Sequence, residues 1–467
     1  MEKFFEEIKN LIPNDYDEFL KCYNEEPYKG LRVNTLKCTG EKLLSLLDFP
    51  LKKTPFCDNG YYYPNEEKGL GKNPLHHAGA FYIQEPSATS AVPMLGVEEG
   101  DFVLDMCSAP GGKSTQIASL LNGKGLLVCN EIIKSRANIL LSNIERMGVK
   151  NANEGLMIAN DISKLRATIL SSNIERFGLQ NTIVTNVDPL KMKFESFFDK
   201  IILDAPCSGE GMFRKDNEAQ QEWSYEHTVT CSVRQLEILN SAKTCLKENG
   251  VLVYSTCTYN KRENEGVITK FIEENPDFII EDSGKTYGRN TLKYAKRIFI
   301  NDGGEGHFCC RLRKTSSNDG YTEPYKYTKP KDEKKYLEFY DSIFNNRPFG
   351  NNLEVIKDKI YLLPNNMPNI KGLNVLRAGI LLGEIKKNRI EPCHSAFMAS
   401  KTEDCKSYVD LDINSEEIKK FLHGEEIPVP KETKGYTAVA VNGIVTGFGK
   451  ASNGTLKNKY PKGLRNL

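Results

Sequence analysis

Phe102-Val-Leu-Asp-Met-Cys-Ser-Ala-Pro-Gly-Gly-Lys-Ser114 is the stretch that decides the fold class. Its first four residues are a short, mostly apolar run, which predicts a strand ending at Asp105. A turn containing Pro110, Gly111 and Gly112 follows, and a helix is predicted from Thr115 to Leu121. A strand, a glycine turn and a helix in this order offer backbone N–H groups to a ligand at the helix start. A Walker A loop needs glycine at position 107, where this chain has Cys107, and the dinucleotide fingerprint G-x-G-x-x-G is missing. A second strand, Gly125-Leu-Leu-Val-Cys-Asn130, runs into Glu131, an acid placed to accept hydrogen bonds from ribose hydroxyls. A cofactor with a ribose and no pyrophosphate fits these features better than NAD or ATP, and S-adenosylmethionine is such a cofactor.

Two later strands share one layout. Ile201-Ile-Leu-Asp204 leads into Ala-Pro-Cys207-Ser-Gly209, and Val251-Leu-Val-Tyr254 leads into Ser-Thr-Cys257-Thr258. The second follows a helix that Gly250 is expected to end as a C-cap. In an open α/β sheet such strands carry Asp204, Cys207 and Cys257 to the carboxyl edge, where ligands bind. One buried cysteine is ordinarily a small hydrophobe. Two at strand ends, one inside Asp-Ala-Pro-Cys, point to chemistry. Another strand, from Asn181, carries Asp188 at its tip.

Composition narrows the class. At 467 residues the chain should hold two or three domains, and 39% hydrophobic content supports real cores. The 63 lysines and arginines nearly cancel the 62 acids, so any basic surface must be a local patch. Thirteen cysteines without a C-x-x-C pair argue against a disulfide framework and a zinc ribbon, so no metal and a reducing, cytoplasmic compartment are expected. The acidic, amphipathic start from Met1 does not read as a signal peptide, and no apolar segment approaches membrane-spanning length.

Residues 1–80 read as a small α/β module with a strand at Leu31–Asn34, followed by the aromatic run Tyr61-Tyr-Tyr-Pro64. Those rings either stack on bases or simply pack. Residues 81–314 form the sheet domain, entered by a short strand and a helix capped near Ser87. Within it residues 130–152 and 160–182 align without gaps at 14 identical positions of 23, so a strand-plus-helix unit, 124–152, is repeated at 154–182. A doubly wound sheet has one slot beside its first strand. One copy is therefore expected to bind cofactor, Glu131 being preferred over its counterpart Asp161, while the other bulges outward or adds an edge layer.

Glu210-Gly-Met-Phe-Arg-Lys-Asp216 reads as a mobile basic loop, either clamping a phosphate or simply solvated. The helix Ser232–Leu246 should bury Val233, Leu236, Leu239 and Leu246. Cys309 and Cys310 sit in a strand-like run and read as packed thiols. Residues 315–335 are polar and linker-like, and 336–467 form a β-rich C-terminal domain whose tail from Lys450 has five basic residues and no acid.

Asp105-x-Cys-Ser-Ala-Pro-Gly-Gly-Lys113, Asp204-Ala-Pro-Cys-Ser-Gly209 and Ser255-Thr-Cys-Thr258 together resemble the Sun-type family of RNA cytosine-C5 methyltransferases. His77-Ala-Gly-Ala-Phe-Tyr-Ile-Gln-Glu-Pro-Ser87 and the ending Asn453 to Arg465 point within it to the bacterial small-subunit rRNA group. The resemblance implies a doubly wound, Rossmann-like methyltransferase sheet, an N-terminal RNA-recognition module and a PUA-like RNA-binding part in the C-terminal domain. It implies an RNA substrate, rRNA before tRNA, for a cytoplasmic monomer. It makes Cys257 the nucleophile and Cys207 its helper. Asp204 is expected to hold the base edge, best when it carries or shares a proton. The cofactor set is Cys107, Ser108, Ala109, Pro110, Gly111, Gly112 and Lys113, with Glu131, Asp188 and Asp204. A P-loop NTPase and a non-catalytic RNA-binding assembly factor are the competing classes.

Overall fold

The structure, a computed structural model, describes residues 1–108, 110–130, 157–160, 182–185, 194–317, 320–347, 352–363, 366–370, 375–378, 380–387 and 389–465. Its centre is an eight-stranded sheet. Leu126–Cys129, Phe102–Asp105, Phe198–Asp204 and Leu246–Thr256 run parallel in that spatial order, and His307–Lys314 closes antiparallel against the last. The parallel registers align Cys129 with Asp105, Asp105 with Ile202, and Asp204 with Ser255. All four parallel strands therefore end at one edge.

Side chains alternate across this sheet with period two. Leu104, Leu203, Leu252 and Tyr254 face a core that includes Ile238, Leu239 and Phe271 of the helices Tyr225–Cys245 and Val267–Glu274. Val103, Ile202, Val251 and Val253 face the opposite core, with Val92 and Leu95 of Ala91–Leu95 and Ile117 of Gly112–Leu121. Both faces are covered, as a parallel sheet requires. Each fully buried aliphatic side chain contributes about 1.5–3 kcal/mol.

Several local expectations are corrected. The helix after the glycine turn starts at Gly112, not Thr115, because Gly111 at φ 107° turns the chain directly into it. The later helix spans Tyr225–Cys245, with the Ser224 hydroxyl accepting from the His227 N–H. It buries Gln235, Ile238, Leu239, Ala242 and Cys245, whereas Val233 is 56% exposed. Gly250 is no helix cap. The helix has ended at Cys245, and Gly250 lies at a register shift inside Leu246–Thr256, where a Cβ would sit 2.7 Å from Leu246. Ser87 is not the cap either; the Glu85 carboxylate accepts from Ser87 N–H, Ser87 Oγ and Ala88 N–H. Cys309 and Cys310 are buried in their strand, as read from the sequence.

In the N-terminal module Gly30–Val33 pairs with Gly60–Tyr62 and with Phe81–Ile83, so its sheet reaches past residue 80. Tyr61 is buried and Tyr62 donates to the Gly303 carbonyl, so these rings pack rather than await bases. Leu31, Val33 and Phe81 of this module share one core with Phe421, Val439, Val441 and Tyr460 near the C-terminus. A His77–Tyr460 hydrogen bond of 2.9 Å joins the same two regions. In the linker-like segment Tyr325 donates to Glu354, tying it to the C-terminal domain.

The duplicated unit is placed in part. The first copy's strand, Leu126–Cys129, fills the slot beside Phe102–Asp105. The second copy's Met157–Asn160 instead pairs with Thr182–Thr185 in a separate sheet that includes Val375–Ala378. No helix among the described residues is long and apolar enough to cross a membrane.

Candidate active site

The carboxyl edge of the parallel strands gathers the residues singled out from sequence. Cys207 follows the Phe198–Asp204 strand, Cys257 follows Leu246–Thr256, and their sulfurs lie 3.3 Å apart. Asp204 stands beside them. Its Oδ2 lies 2.7 Å from Lys113 Nζ, and Ser255 Oγ donates to Oδ1 at 2.8 Å. Burial raises the pKa of such a carboxyl, but Lys113, His307 and the Ser255 hydroxyl outweigh it and hold Asp204 below the usual range. Asp204 is thus ion-paired to a buried ammonium, where the sequence reading has it carrying or sharing a proton. Its side chain stays 30% exposed, enough for a ligand to reach.

Cys207 is held as a thiol. The hydrogen bond to Cys257 comes first, then burial, then the charges of Cys257, Glu263 and Asp204, and together they push its pKa well up.

Two buried glutamates that sequence reading did not single out fix these loops. Glu263 accepts from the Ser208 N–H at 3.0 Å, the Ser208 hydroxyl at 2.5 Å, Gln235 at 2.8 Å and Asn260 at 2.7 Å. It therefore clamps the loop after Cys207 to the loop after Cys257. Burial, only partly offset by these donors, raises its pKa. Glu210 does the same from the other side, accepting from the Tyr259 and Asn260 N–H groups and from Trp223. The segment Glu210–Asp216 is anchored at Phe213, Arg214 and Lys215, while Lys215 and Asp216 stay exposed. Phe213 is 1% exposed, Arg214 Nη2 donates to the Glu25 carbonyl, and Lys215 Nζ donates to the Tyr28 carbonyl. In the sequence Glu210 sits in a stretch that reads as a basic loop, and Glu263 carries no signal that sets it apart from a surface acid.

The turn after Asp105 is built for a ligand. Ser114 Oγ donates to Asp105 Oδ2 at 2.6 Å, Ser108 Oγ to the Asp105 carbonyl at 2.6 Å, and Asn130 N–H to that carbonyl at 2.8 Å. Cys107 is partly open and Pro110 is exposed, while Gly111, Gly112 and Lys113 are buried. Gly112–Leu121 has no side-chain cap, which leaves its first N–H groups for an acceptor outside the helix. That donor set suits a cofactor with carboxylate and ribose oxygens. Asp204 closes the same edge. Ala109, Glu131, Asp161 and Asp188 lie outside the described residues. No metal-binding group of histidine, cysteine or acid side chains occurs among the described residues.

Comparison with known proteins matches nearly the whole chain. The family model described as 16S rRNA methyltransferase RsmB/F matches residues 92–154 and 151–313, two pieces that overlap at the seam of the duplication. The N-terminal domain of 16S rRNA methyltransferase RsmF matches 1–86, its first C-terminal domain 338–399, and its PUA domain 408–466. The ribosomal RNA small subunit methyltransferase F of Vibrio vulnificus strain YJ016 is 31% identical over 99% of this chain and 97% of its own length. That of Aliivibrio salmonicida strain LFI1238 is 30% identical over the same shares. Among solved structures, a methyltransferase homologue from Pyrococcus horikoshii is 26% identical over 64% of this chain and 91% of its own, at a TM-score of 0.51. NSun6 from Pyrococcus horikoshii, solved with the S-adenosylmethionine analogue SFG, shares the fold at 22% identity and a TM-score of 0.55, over 67% of this chain and 98% of its own. With its paired cysteines, its uncapped turn and its full-length match to these relatives, the chain belongs to the RsmF-type family of S-adenosylmethionine-dependent rRNA methyltransferases.

Proposed function

We propose that this protein methylates C5 of a cytosine in small-subunit rRNA through a transient bond between Cys257 and C6 of the base. The observation that carries the reading is the pair of thiols 3.3 Å apart, next to a carboxylate ion-paired to Lys113. Cytosine C5 is too weak a nucleophile to attack a methyl donor unaided. Addition of the Cys257 sulfur to C6 moves the C5–C6 π electrons onto C5, splitting one difficult step into two easier ones. Bound S-adenosylmethionine supplies an electrophilic methyl group, held by the turn from Cys107 to Lys113.

Asp204 holds the N3/N4 edge of the base and stabilises charge as it develops there. Because it begins as an ion pair, the proton needed at N3 comes by way of Lys113 or solvent. After methylation the C5 proton leaves and the sulfur–carbon bond breaks. Cys207 is the base for that step. Once Cys257 is bonded to carbon, the hydrogen bond that most favours the Cys207 thiol is gone, so Cys207 gives its proton to solvent and, as a thiolate, takes up the C5 proton.

The strand position of the first copy supports Glu131 over Asp161 as the ribose ligand. Asp188 is proposed beside it. The N-terminal module and the PUA part, sharing one core, hold the RNA as a single platform for a monomeric enzyme. The target base must leave any helix it occupies, at a cost of a few kcal/mol, which favours a loop or strand end. Cys207→Ala is the direct experiment: a covalent protein–RNA species should accumulate, and turnover without any such species would contradict the division of roles.

A further inference from the structure

One polar group at the site has no use in this scheme. His307 is 1% exposed, and neither ring nitrogen has a hydrogen-bond partner of ordinary geometry. Buried polar atoms are nearly always satisfied, so one that is not points to a partner supplied later. The ring stands at the reacting edge. Thr256 pairs with Phe308, which sets His307 across from Cys257, and Nε2 lies 4.0 Å from Asp204 Oδ1. The backbone there is pinned. His307 also pairs with Ile298, and Gly306, at φ 133°, leaves no room for a Cβ, which would sit 2.5 Å from the Tyr259 ring. Reaching a new partner therefore falls to the side chains.

Burial first, and then Lys113, lower the imidazole pKa to about 4, against the opposing pull of Asp204 and Glu85. At neutral pH the ring is uncharged, with one N–H donor and one bare nitrogen. It can bond a carboxylate without competing as a cation with Lys113.

We propose that His307 is a positioning residue for Asp204, closing the gap to Oδ1 once the cytosine edge has drawn that carboxylate off Lys113. In the resting protein Asp204 has Lys113 on Oδ2 and Ser255 on Oδ1. When the base occupies the Oδ2 side, the Lys113 contact weakens and the carboxylate needs a second donor to keep its rotamer. His307 Nε2 lies 4.0 Å from Oδ1, a gap that a small side-chain shift closes. The inference rests on Asp204 holding the base, as proposed above.

The test uses the full-length protein, S-adenosylmethionine and small-subunit rRNA. His307→Phe should lower kcat about 10- to 100-fold, as expected for losing one hydrogen bond to a charged group, with KM for RNA and the thermal transition nearly unchanged. His307→Gln, which restores a donor, should recover most of the loss. Wild-type kcat in His307→Phe, or His307→Gln no better than His307→Phe, would overturn the assignment. If His307→Phe does not fold, the wild-type protein decides: in the adduct with 5-fluorocytidine RNA the His307 ring N–H should show the downfield 15N–1H signal of a bond to carboxylate. A ring signal identical in free protein and adduct would overturn it. Cys257→Ala run in parallel separates the failures, because turnover there defeats the proposed reaction itself, whereas a normal adduct with normal His307→Phe kinetics defeats only this inference.

Discussion

Asp204 and Glu263 are both acids at the same sheet edge, and they are treated in opposite ways. Glu263 is 0% exposed and accepts from four donors of the two cysteine loops and the neighbouring helix. Asp204 keeps an open flank, one cation and one hydroxyl. A saturated acid serves as a fixed joint, because every group around it would be left unsatisfied if it moved. An acid with spare capacity can exchange partners. On the proposed reaction, the contrast separates the residues that keep the two thiols in place from those that would meet the substrate.

Breaking the reacting side should cost most. Cys257→Ala is expected to reduce methyl transfer to background while S-adenosylmethionine affinity, read by calorimetry, stays near wild type. Lys113→Met comes next. With the ammonium gone, burial is left as the main influence on Asp204, whose pKa should climb above the usual carboxylate range. The acid limb of the kcat profile should then move to higher pH, together with a loss of about 10²-fold or more in rate.

On the joint side, Glu263→Ala strands several buried donors at about 1–3 kcal/mol each, so a thermal transition lower by several degrees is expected along with reduced kcat. The pH dependence of stability sharpens the comparison. Asp204 has a lowered pKa, so its contribution is present above the ordinary carboxylate range and is lost as pH falls through the lowered value. The raised pKa of Glu263 gives a contribution present below that range and lost as pH rises through the raised value. Urea titrations should therefore show the gap between wild type and Asp204→Asn widening with pH, and that between wild type and Glu263→Gln narrowing. The smallest effect is expected at Val233. It is 56% exposed, so Val233→Lys should alter stability by less than about 0.5 kcal/mol.

Much of the site was legible because its chemistry is local in sequence. Asp105 to Lys113, Asp204 to Gly209 and Ser255 to Thr258 each combine strand, turn and reactive group within a few residues, and parallel pairing then brings them together. What stayed hidden depends on distance in the chain. Glu263 acts on Ser208 from 55 residues away, and Glu210 on Tyr259 from 49. Val233 misled because an apolar residue at helical spacing says nothing about which face is covered. Arg214 and Lys215 looked like a free basic loop because their carbonyl partners, Glu25 and Tyr28, belong to the N-terminal module. The core shared by Leu31 and Val441 was likewise invisible, since each end of the chain reads as a self-sufficient unit.

The most direct measurement is peptide mapping by mass spectrometry of the protein trapped on small-subunit rRNA containing 5-fluorocytidine, with S-adenosylmethionine present. A methylated, fluorinated cytosine attached to Cys257 is the result this account requires. Attachment at Cys207, or a methylated product with no cysteine ever linked to the base, would contradict it.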